Sequence, residues 1–267
     1  MITIKSPREI EVMRRSGKIT SKTLEMLMTT VKAGMTTGDV DRLAENSIRS
    51  LGGVPTFIGY NGYKHTICAS VDDEVVHGIP GPRVLREGEL LSIDIGTTLE
   101  GYVSDSAITL AIGTVSESAK RLMRVTQECL MLGIAAMQKG NHVGDIGAAV
   151  QAHAEKHGYG VVRDLVGHGV GQKMHEEPQV PNYGTPGAGP LLRSGLVLAV
   201  EPMITEGTHE VETLEDGWTV VTADGKLAAH FEHTIAITDE GPRILTLRSM
   251  GEHEDVARYR PKEEIAA

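Results

Sequence analysis

The chain has little cysteine and few aromatic residues, and it lacks a long apolar run. Two cysteines, Cys68 and Cys129, are too few for a disulfide framework, which is typical of a protein in a reducing cytoplasm. No apolar run approaches the length that spans a bilayer, and the charged start MITIKSPREI does not have the pattern of a signal peptide. We therefore expect a cytoplasmic protein without a membrane association.

Basic residues are outnumbered by acidic ones, 26 Lys and Arg against 36 Asp and Glu. The 267 residues carry a formal net charge of -10 at pH 7, which argues against nucleic acid as the main partner. Hydrophobic residues make up 40% of the chain, enough for a sizeable core. The length allows two modest domains or one large domain.

Helix signals alternate with strand signals along the chain. A capping-box spacing from Ser6 to Glu9 predicts a first helix that runs to the region of Gly34. Apolar spacing predicts further helices that end at Gly52-Gly53 or span about 117–138 and 143–157. Short runs rich in Val, Ile and Thr predict strands between and after these helices, with a hairpin turn at 223–225. The charged residues 249–267 are expected to form a C-terminal tail.

A faint internal repeat has a constant offset of about 106 residues. Its matches are Gly34 with Gly140, Gly38 with Gly144, Asp39 with Asp145 and Gly52 with Gly158. The repeat predicts a single α+β domain over residues 1–248, built from two pseudo-symmetric halves with a cleft where they meet.

Two aspartates lie inside strand-like runs, Asp94 in SIDIG and Asp105 in YVSDSA. A tight turn centred near Leu99-Glu100 would place their carboxylates directly opposite each other, which destabilises a sheet unless a cation lies between them. A different register, with both aspartates in solvent, is the alternative.

Further metal-ligand types occur in core-like contexts or beside glycines. Glu201 follows the apolar run LVLAV, and Glu232 lies in LAAHFEHTIAI, so each is either directed out of a sheet edge or compensated by a cation. His168 has glycine on both sides in GHGVGQKMHEEP. Four carboxylates with one imidazole suit two divalent metal ions, with Mn, Fe, Co or Zn favoured over a thiolate-rich zinc site.

Other catalytic motifs are excluded. His175 is followed by Glu-Glu-Pro, which is not H-E-x-x-H, and the proline would break the helix that this motif requires. The glycines around His168 do not form a phosphate loop, and no G-x-S-x-G sequence is present.

The segments VVHGIP, SIDIG, SDSA, GHGVG, MHEEP, EPM and FEHT, in this order, resemble those of type I methionine aminopeptidases of the short bacterial form. The resemblance extends from the first helix to RILTL, and no long insertion separates MHEEP from EPM. It implies the pita-bread fold, in which a pseudo-two-fold antiparallel sheet has helices on its outer face. It also implies that five residues bind two divalent metal ions: Asp94, Asp105, His168, Glu201 and Glu232.

The resemblance further implies three catalytic residues, His77, His175 and Glu201. In that mechanism a hydroxide that bridges the metals attacks the first peptide bond, Glu201 transfers protons, and the two histidines bond to the substrate. Matching positions imply a methionine pocket lined by Tyr60, Tyr63, Cys68, His77, Met174, His175 and Trp218. The chain departs from the family pattern at Met174, where phenylalanine is usual, and at Lys64, where proline is frequent. Without the resemblance, the pocket residues would be read as ordinary core or loop residues.

The implied function is removal of N-terminal methionine from nascent proteins when the second residue is small. A transient association with the ribosome and a monomeric state are expected. A proline-specific peptidase of the same fold is one alternative, although such chains usually carry an additional N-terminal domain. A metal-free protein of this fold that binds peptides or the ribosome is the other.

Overall fold

A computed structural model describes residues 1–249. It contains four α-helices, α1 (Pro7–Thr30), α2 (Thr37–Ser50), α3 (Glu117–Ala135) and α4 (Val143–Lys156), and a 3₁₀ turn at Tyr60–Gly62. In this part of the chain no helix has the length and apolar character required to cross a membrane. Apart from Ser249, the predicted C-terminal tail lies outside the described residues.

Helices α1, α3 and α4 begin where the sequence predicts. Ser6 and Glu9 form a reciprocal capping box at α1, and Thr36 and Asp39 form another at α2. Helix α1 ends at Thr30 and not near Gly34, because Gly34 has a φ of 91° and donates its N–H to the carbonyl of Leu85.

Within residues 1–249, fifteen short or medium strands form four antiparallel sheets. They are β1 (Val54–Pro55), β2 (Ile67–Val71), β3 (Glu74–Val76), β4 (Leu90–Leu99), β5 (Tyr102–Ala111), β6 (Gly160–Val161), β7 (Gly167–Gly169), β8 (Glu176–Val180), β9 (Val197–Val200), β10 (Met203–Thr205), β11 (Val211–Thr213), β12 (Val220–Thr222), β13 (Ala228–His230), β14 (His233–Thr238) and β15 (Gly241–Ile244). The first half forms β1-β4-β2 with β5 on the other edge of β4. The second half forms β15-β14-β9-β7-β8 and β13-β10-β6, while β3 joins β11 and β12.

The two halves repeat each other's local geometry. Gly34 and Gly140 have φ values of 91° and 96°, and the cap residues of α2 and α4 are fixed by equivalent isolated bridges, Thr36 to Val84 and His142 to Leu191. One hydrophobic cluster contains buried residues of both halves. The mixed helical and antiparallel architecture confirms the predicted fold class, whereas the division of residues 1–248 into two pseudo-symmetric halves stays a prediction.

The predicted register of the β4–β5 hairpin is wrong by two residues. Asp94 pairs with Ala107, and Asp105 pairs with Gly96, because the turn consists of Glu100 and Gly101. Both turn residues have positive φ, 50° and 80°, as a two-residue turn of the I′ type requires. Since side chains alternate with a period of two, this shift keeps both carboxylates on one face, in a diagonal arrangement.

The predicted hairpin at 223–225 is also wrong. The chain does turn there, since Gly225 donates its N–H to the carbonyl of Thr222. However, β12 pairs with β11 and β3, whereas β13 pairs with β10. The turn therefore connects two different sheets.

The halves meet along a seam between residues 105–109 and 230–234. Thr234 Oγ1 accepts the Asp105 N–H at 2.9 Å and donates to the Asp105 carbonyl at 2.8 Å. Thr109 Oγ1 makes the same pair of bonds, both 2.9 Å long, with the backbone of His230. This seam brings a strand of each half beside the cleft.

Candidate active site

The structure brings the five predicted metal ligands together at the seam. Asp94 and Asp105 come from the β4–β5 hairpin, whereas the other three come from the second half of the chain. Ligand atoms of Asp105, His168 and Glu232 all lie within 4.8 Å of one another. Asp94 and Glu201 line the same cavity, and Glu201 Oε1 is 3.6 Å from His168 Nε2.

The backbone of the second half places three of these ligands. His168 is the central residue of β7, whose flanking glycines pack tightly: a Cβ at Gly167 would lie 2.4 Å from the carbonyl oxygen of Ala199. Glu201 directly follows β9, which Pro202 ends as predicted. Glu232 lies between β13 and β14, and its N–H is bonded to the carbonyl of Ala107 across the seam.

The orientation of His168 is suited to metal binding. Its Nδ1 donates to the backbone carbonyl of Gly169 at 2.9 Å, so the lone pair of the neutral ring is on Nε2. Burial lowers the pKa of His168 to about 4, which keeps the ring neutral at physiological pH. Nε2 faces the carboxylates, 3.7 Å from Asp105 Oδ2.

The carboxylates are poorly stabilised as anions by protein groups. Burial raises the pKa of Asp105 to about 7. Burial and the neighbouring Asp105 raise the pKa of Asp94 well above its ordinary value, and burial with both aspartates does the same for Glu201. The pKa of Glu232 is raised in the same way by burial, Asp105 and Glu201.

Unpaired polar atoms show that the site fits a cation. Asp94 Oδ1, Asp105 Oδ1 and Glu232 Oε1 are buried without a hydrogen-bond partner. Buried carboxylate oxygens are normally paired, and a divalent metal ion would compensate all three. One imidazole with four carboxylates is a donor set for Mn, Fe, Co or Zn ions.

A second cluster of possible metal ligands, formed by Glu128, His153 and His157, differs from the cleft because its carboxylate is already paired. There His153 Nε2 is 2.9 Å from Glu128 Oε2, and Arg124 donates to the other carboxylate oxygen at 2.8 Å. Protein partners already satisfy this carboxylate. Among residues 1–249, every buried carboxylate oxygen without a hydrogen-bond partner belongs to the cleft.

The two predicted catalytic histidines, His77 and His175, line the same cavity as Asp94, Asp105 and His168. The ring of His175 is 4.2 Å from that of His168, and its Nδ1 shares a 2.6 Å hydrogen bond with the Tyr60 hydroxyl. When the hydroxyl donates, His175 Nε2 carries the ring proton. Burial and His168 lower the pKa of His175 to about 4, and burial also lowers the pKa of His77.

The backbone of His77 has a φ of 61°, a conformation uncommon for a residue with a side chain. Gly78, which follows, is tightly packed, since a Cβ there would lie 2.4 Å from the carbonyl oxygen of Ala69. Strained positions of this kind are concentrated at functional sites.

The predicted pocket residues line one cavity of about 260 Å³ beside the carboxylates. The rings of Tyr63 and Trp218 are 4.9 Å apart, and Met174 is buried at its wall. Burial and Asp94 raise the pKa of the Cys68 thiol well above its ordinary value, so Cys68 is a small neutral wall residue. Lys64 is exposed and does not line the cavity, so this departure from the family pattern leaves the pocket wall unchanged.

Several lining residues were not predicted. They include Phe57, Val76, Leu165, Val166 and Met203. The buried His230 was also missed, although its Nε2 lies 3.7 Å from Glu201 Oε2. The HFEH spacing, which puts His230 two residues before a predicted ligand, was the only available signal.

Comparison with known proteins agrees with this geometry. The family described as metallopeptidase family M24 matches residues 11–239. The chain belongs to this family. The membership confirms the predicted pita-bread fold and the predicted class of enzyme, a metallopeptidase.

Similar proteins within the family include bacterial methionine aminopeptidases. The methionine aminopeptidase of Clostridium acetobutylicum is 53% identical over 248 residues, which cover 92% of this chain and 99% of that protein. Methionine aminopeptidase 1 of Bacillus subtilis is 50% identical, with 92% and 99% covered. The predicted similarity to short bacterial methionine aminopeptidases is confirmed.

Solved structures agree with the fold. The methionine aminopeptidase of Thermotoga maritima matches with a TM-score of 0.91 and 46% identity, over 92% of this chain and 99% of that chain. A prolidase from Pyrococcus furiosus matches with a TM-score of 0.75 and 21% identity, over 92% of this chain and 66% of that one. The second match shows a shared fold alone.

Proposed function

We propose that this metallopeptidase hydrolyses the peptide bond after an N-terminal methionine when the second residue is small. The buried, unpaired carboxylate oxygens beside an apolar cavity are the observation that carries the proposal. The relatives named methionine aminopeptidase support the choice of substrate.

Two divalent metal ions would be held by Asp94, Asp105, His168, Glu201 and Glu232. When bound, such ions lower the pKa of water, so that a hydroxide attacks at neutral pH, and they polarise the substrate carbonyl. The donor set supports this, since four carboxylates exceed what one cation with a single imidazole requires.

The side chains around the metal ligands supply the proton transfers and hydrogen bonds. Glu201 lies between two imidazoles, with Oε1 3.6 Å from His168 Nε2 and Oε2 3.7 Å from His230 Nε2, and would take and return the proton of the attacking water. His175 would donate from Nε2 to the developing oxyanion, because Tyr60 occupies its Nδ1. His77 would bond to the substrate amide.

The cavity supports methionine as the first residue. An unbranched thioether fills an irregular apolar space well and makes favourable contacts with aromatic rings. Tyr63, Trp218 and Phe57 supply rings, and Met174 with Cys68 completes the wall.

Two other functions have less support. A metal-free peptide binder would not require buried carboxylates without partners, and all five predicted ligands are present. A proline-specific peptidase shares the fold, but its relatives in this comparison are 20–23% identical, which supports the fold only.

The test compares Met-Ala-Ser, Met-Arg-Ser and Gly-Pro-Ala peptides, with chelator and after Mn or Co is added back. We expect hydrolysis of Met-Ala-Ser alone, abolished by chelator and restored by metal. Full activity in the metal-free protein, or equal rates on Met-Ala-Ser and Met-Arg-Ser, would contradict the proposal. Faster hydrolysis of Gly-Pro-Ala would support the proline-specific alternative.

The cytoplasmic location, the monomeric state and a transient ribosome contact stay predictions. They are implied by the resemblance to enzymes that act on nascent chains. Sedimentation of the purified protein with and without ribosomes measures both the oligomeric state and the contact.

A further inference from the structure

The segment that precedes α1 contains a buried lysine. Lys5 is 6% exposed, and its backbone N–H is bonded to the carbonyl of Gly195 at 2.7 Å. Its ammonium group lies 2.8 Å from Glu176 Oε2 and 2.8 Å from Thr3 Oγ1. Lysine is rarely buried unless it is paired, so this ion pair requires an explanation.

Glu176 is enclosed as well. The exposed fractions of the Lys5 and Glu176 side chains are 4% and 11%. Glu176 Oε2 also accepts from the Thr3 hydroxyl, and Oε1 accepts the Lys173 N–H at 3.3 Å. The pKa of Glu176 is lowered despite its burial, because Lys5 and Thr3 donate to the carboxylate.

The ion pair lies directly under the loop of residues 171–175, between β7 and β8. A Cβ at Gly171 would lie 2.4 Å from Glu176 Oε1 and 2.7 Å from Lys5 Cε, so the loop backbone rests on both side chains. The same loop carries Met174 of the pocket wall and His175. Glu176 is the next residue after His175, and the backbone that orients the imidazole is therefore held by the pair.

We propose that Lys5 is a positioning residue for His175, acting through Glu176. Lys5 lines no part of the cavity of about 260 Å³. Its ammonium fixes the Glu176 carboxylate, and this fixes the position of the His175 ring over His168. The inference rests on the role of oxyanion donor proposed for His175.

Replacing Lys5 would leave a buried carboxylate without its cation. Removal of one partner from a buried ion pair is strongly destabilising, so the loop would move to hydrate Glu176. A displacement of about 1 Å at a catalytic group can lower the rate on the order of 100-fold. Four of the predicted metal ligands lie on other backbone segments. His168 lies on β7, which is also paired with β9 through Ala199, so the ligands would keep their positions.

The experiment measures kcat, KM and metal content for Lys5→Met, Glu176→Gln and the double variant, well below their melting temperatures. We expect Lys5→Met to lose at least about tenfold in kcat, with KM changed less and the metal content retained, because the oxyanion contact is made in the transition state. The double variant should recover part of that loss, since it contains no unpaired buried charge. If Lys5→Met does not fold, Glu176→Gln carries the test, with a smaller loss in kcat.

Lys120→Met is the matched control, because it removes an exposed ion pair with Glu117 on α3. It should leave kcat unchanged. A lower melting temperature with unchanged kcat in Lys5→Met and Glu176→Gln would overturn the inference, and so would no recovery in the double variant. His175→Ala, measured in parallel, separates the failures: normal kcat in that variant would refute the role proposed for His175 itself.

Discussion

At the scale of single residues, two neighbouring histidines differ through their hydrogen bonds. His168 uses Nδ1 as a donor to a backbone carbonyl, which leaves a lone pair on Nε2 for a metal ion. His175 shares Nδ1 with the Tyr60 hydroxyl, and when the hydroxyl donates, a proton is on Nε2 and could bond to a substrate oxygen. In the proposed mechanism, His168 would therefore bind a cation and His175 would donate to an anion.

This difference predicts separate outcomes for two alanine variants. His168→Ala should lose bound metal and activity together, and excess metal should restore part of the rate. His175→Ala should retain metal and bind methionine nearly normally, but lose on the order of 10²- to 10³-fold in kcat, the usual effect of removing one oxyanion donor. Metal analysis and steady-state kinetics of both variants measure these outcomes. Metal loss in His175→Ala would show that the two roles are assigned to the wrong residues.

Asp105→Asn should stabilise the metal-free protein, by an amount that increases with pH. Unfolded aspartate titrates near pH 3.9, whereas burial raises the pKa of Asp105 to about 7 in the fold. Between these values the folded state holds a proton that the unfolded state releases, so the parent loses stability as pH rises. Asparagine does not titrate and is not subject to this loss.

The measurement is urea unfolding of both metal-free proteins at several pH values from 4 to 8. The buried histidines have lowered pKa values, and their contribution to stability changes with pH in the opposite direction. Because both proteins contain them, this contribution cancels when the two are compared at the same pH. A stability difference that is constant over this range would contradict the prediction. Saturation with metal should reverse the order of the two proteins, because Asp105 then binds a cation.

The order of motifs predicted the site residues better than it predicted their contacts. All five residues predicted to bind metal and all of the predicted pocket residues lie at one cleft. The Tyr60–His175 bond joins residues far apart in sequence, and no local pattern indicates it. His230 and Phe57 were missed because their local sequence is that of an ordinary strand or loop. Only the fold brings them to the cleft.

At the scale of elements, helix α1 is fixed to the rest of the chain by a close backbone contact. A Cβ on Gly17 would lie 2.2 Å from the Leu245 carbonyl oxygen and 2.7 Å from the carbonyl carbon. Ser16, the preceding residue, donates to the carbonyl of Thr97 at 2.8 Å. The helix therefore approaches the strands as closely as glycine allows.

Gly17→Ala should destabilise the protein, although alanine has the higher helix propensity by about 1 kcal/mol. The added methyl group would displace α1 from a backbone that cannot move aside, and overpacking of this kind costs about 1–3 kcal/mol. Gly133→Ala in α3 is the control, since its Cβ would meet side-chain methyl groups at 3.0 Å or more. Thermal unfolding should show the larger loss for Gly17→Ala. Equal melting temperatures would contradict the prediction.

Elements were predictable where their signals are local. The capping box from Ser6 to Glu9 marked the start of α1, and Gly52-Gly53 marked the end of α2 within a few residues. The β4–β5 register was misjudged because Glu100, a residue with a side chain, adopts positive φ beside Gly101. The register error did not affect the predicted site, because a shift of two residues leaves each side chain on the same face of the sheet. The turn at 223–225 was recognised, but the choice of partner strand for β12 and β13 depends on residues distant in sequence.

At the scale of the whole molecule, the seam between the halves supports the ligands. Thr234 bonds to both backbone groups of Asp105, and Thr109 does the same for His230. Asp105 belongs to the first half and Thr234 to the second. The ligand cluster therefore depends on how the halves meet.

Thr234→Val should weaken both stability and metal binding. Valine has a similar shape but cannot bond to the Asp105 backbone, and an unpaired buried polar group costs about 1–3 kcal/mol. Titration with Mn or Co and thermal unfolding measure the two effects. Thr126→Val is the control, because the Thr126 hydroxyl bonds only to a carbonyl of its own helix, at 2.8 Å. Metal affinity equal to that of the parent would show that the seam does not position Asp105.

The position of the ligands in the chain has a consequence for the enzyme's own synthesis. They extend from Asp94 to Glu232, and the last one follows strand β13. On a ribosome, the protein could not complete the cluster until nearly all of its chain had emerged. Contacts this distant in sequence form slowly, because the intervening loop must first close. Metal uptake would therefore be one of the last events of refolding, and a metal-sensitive signal should follow the recovery of helical circular dichroism.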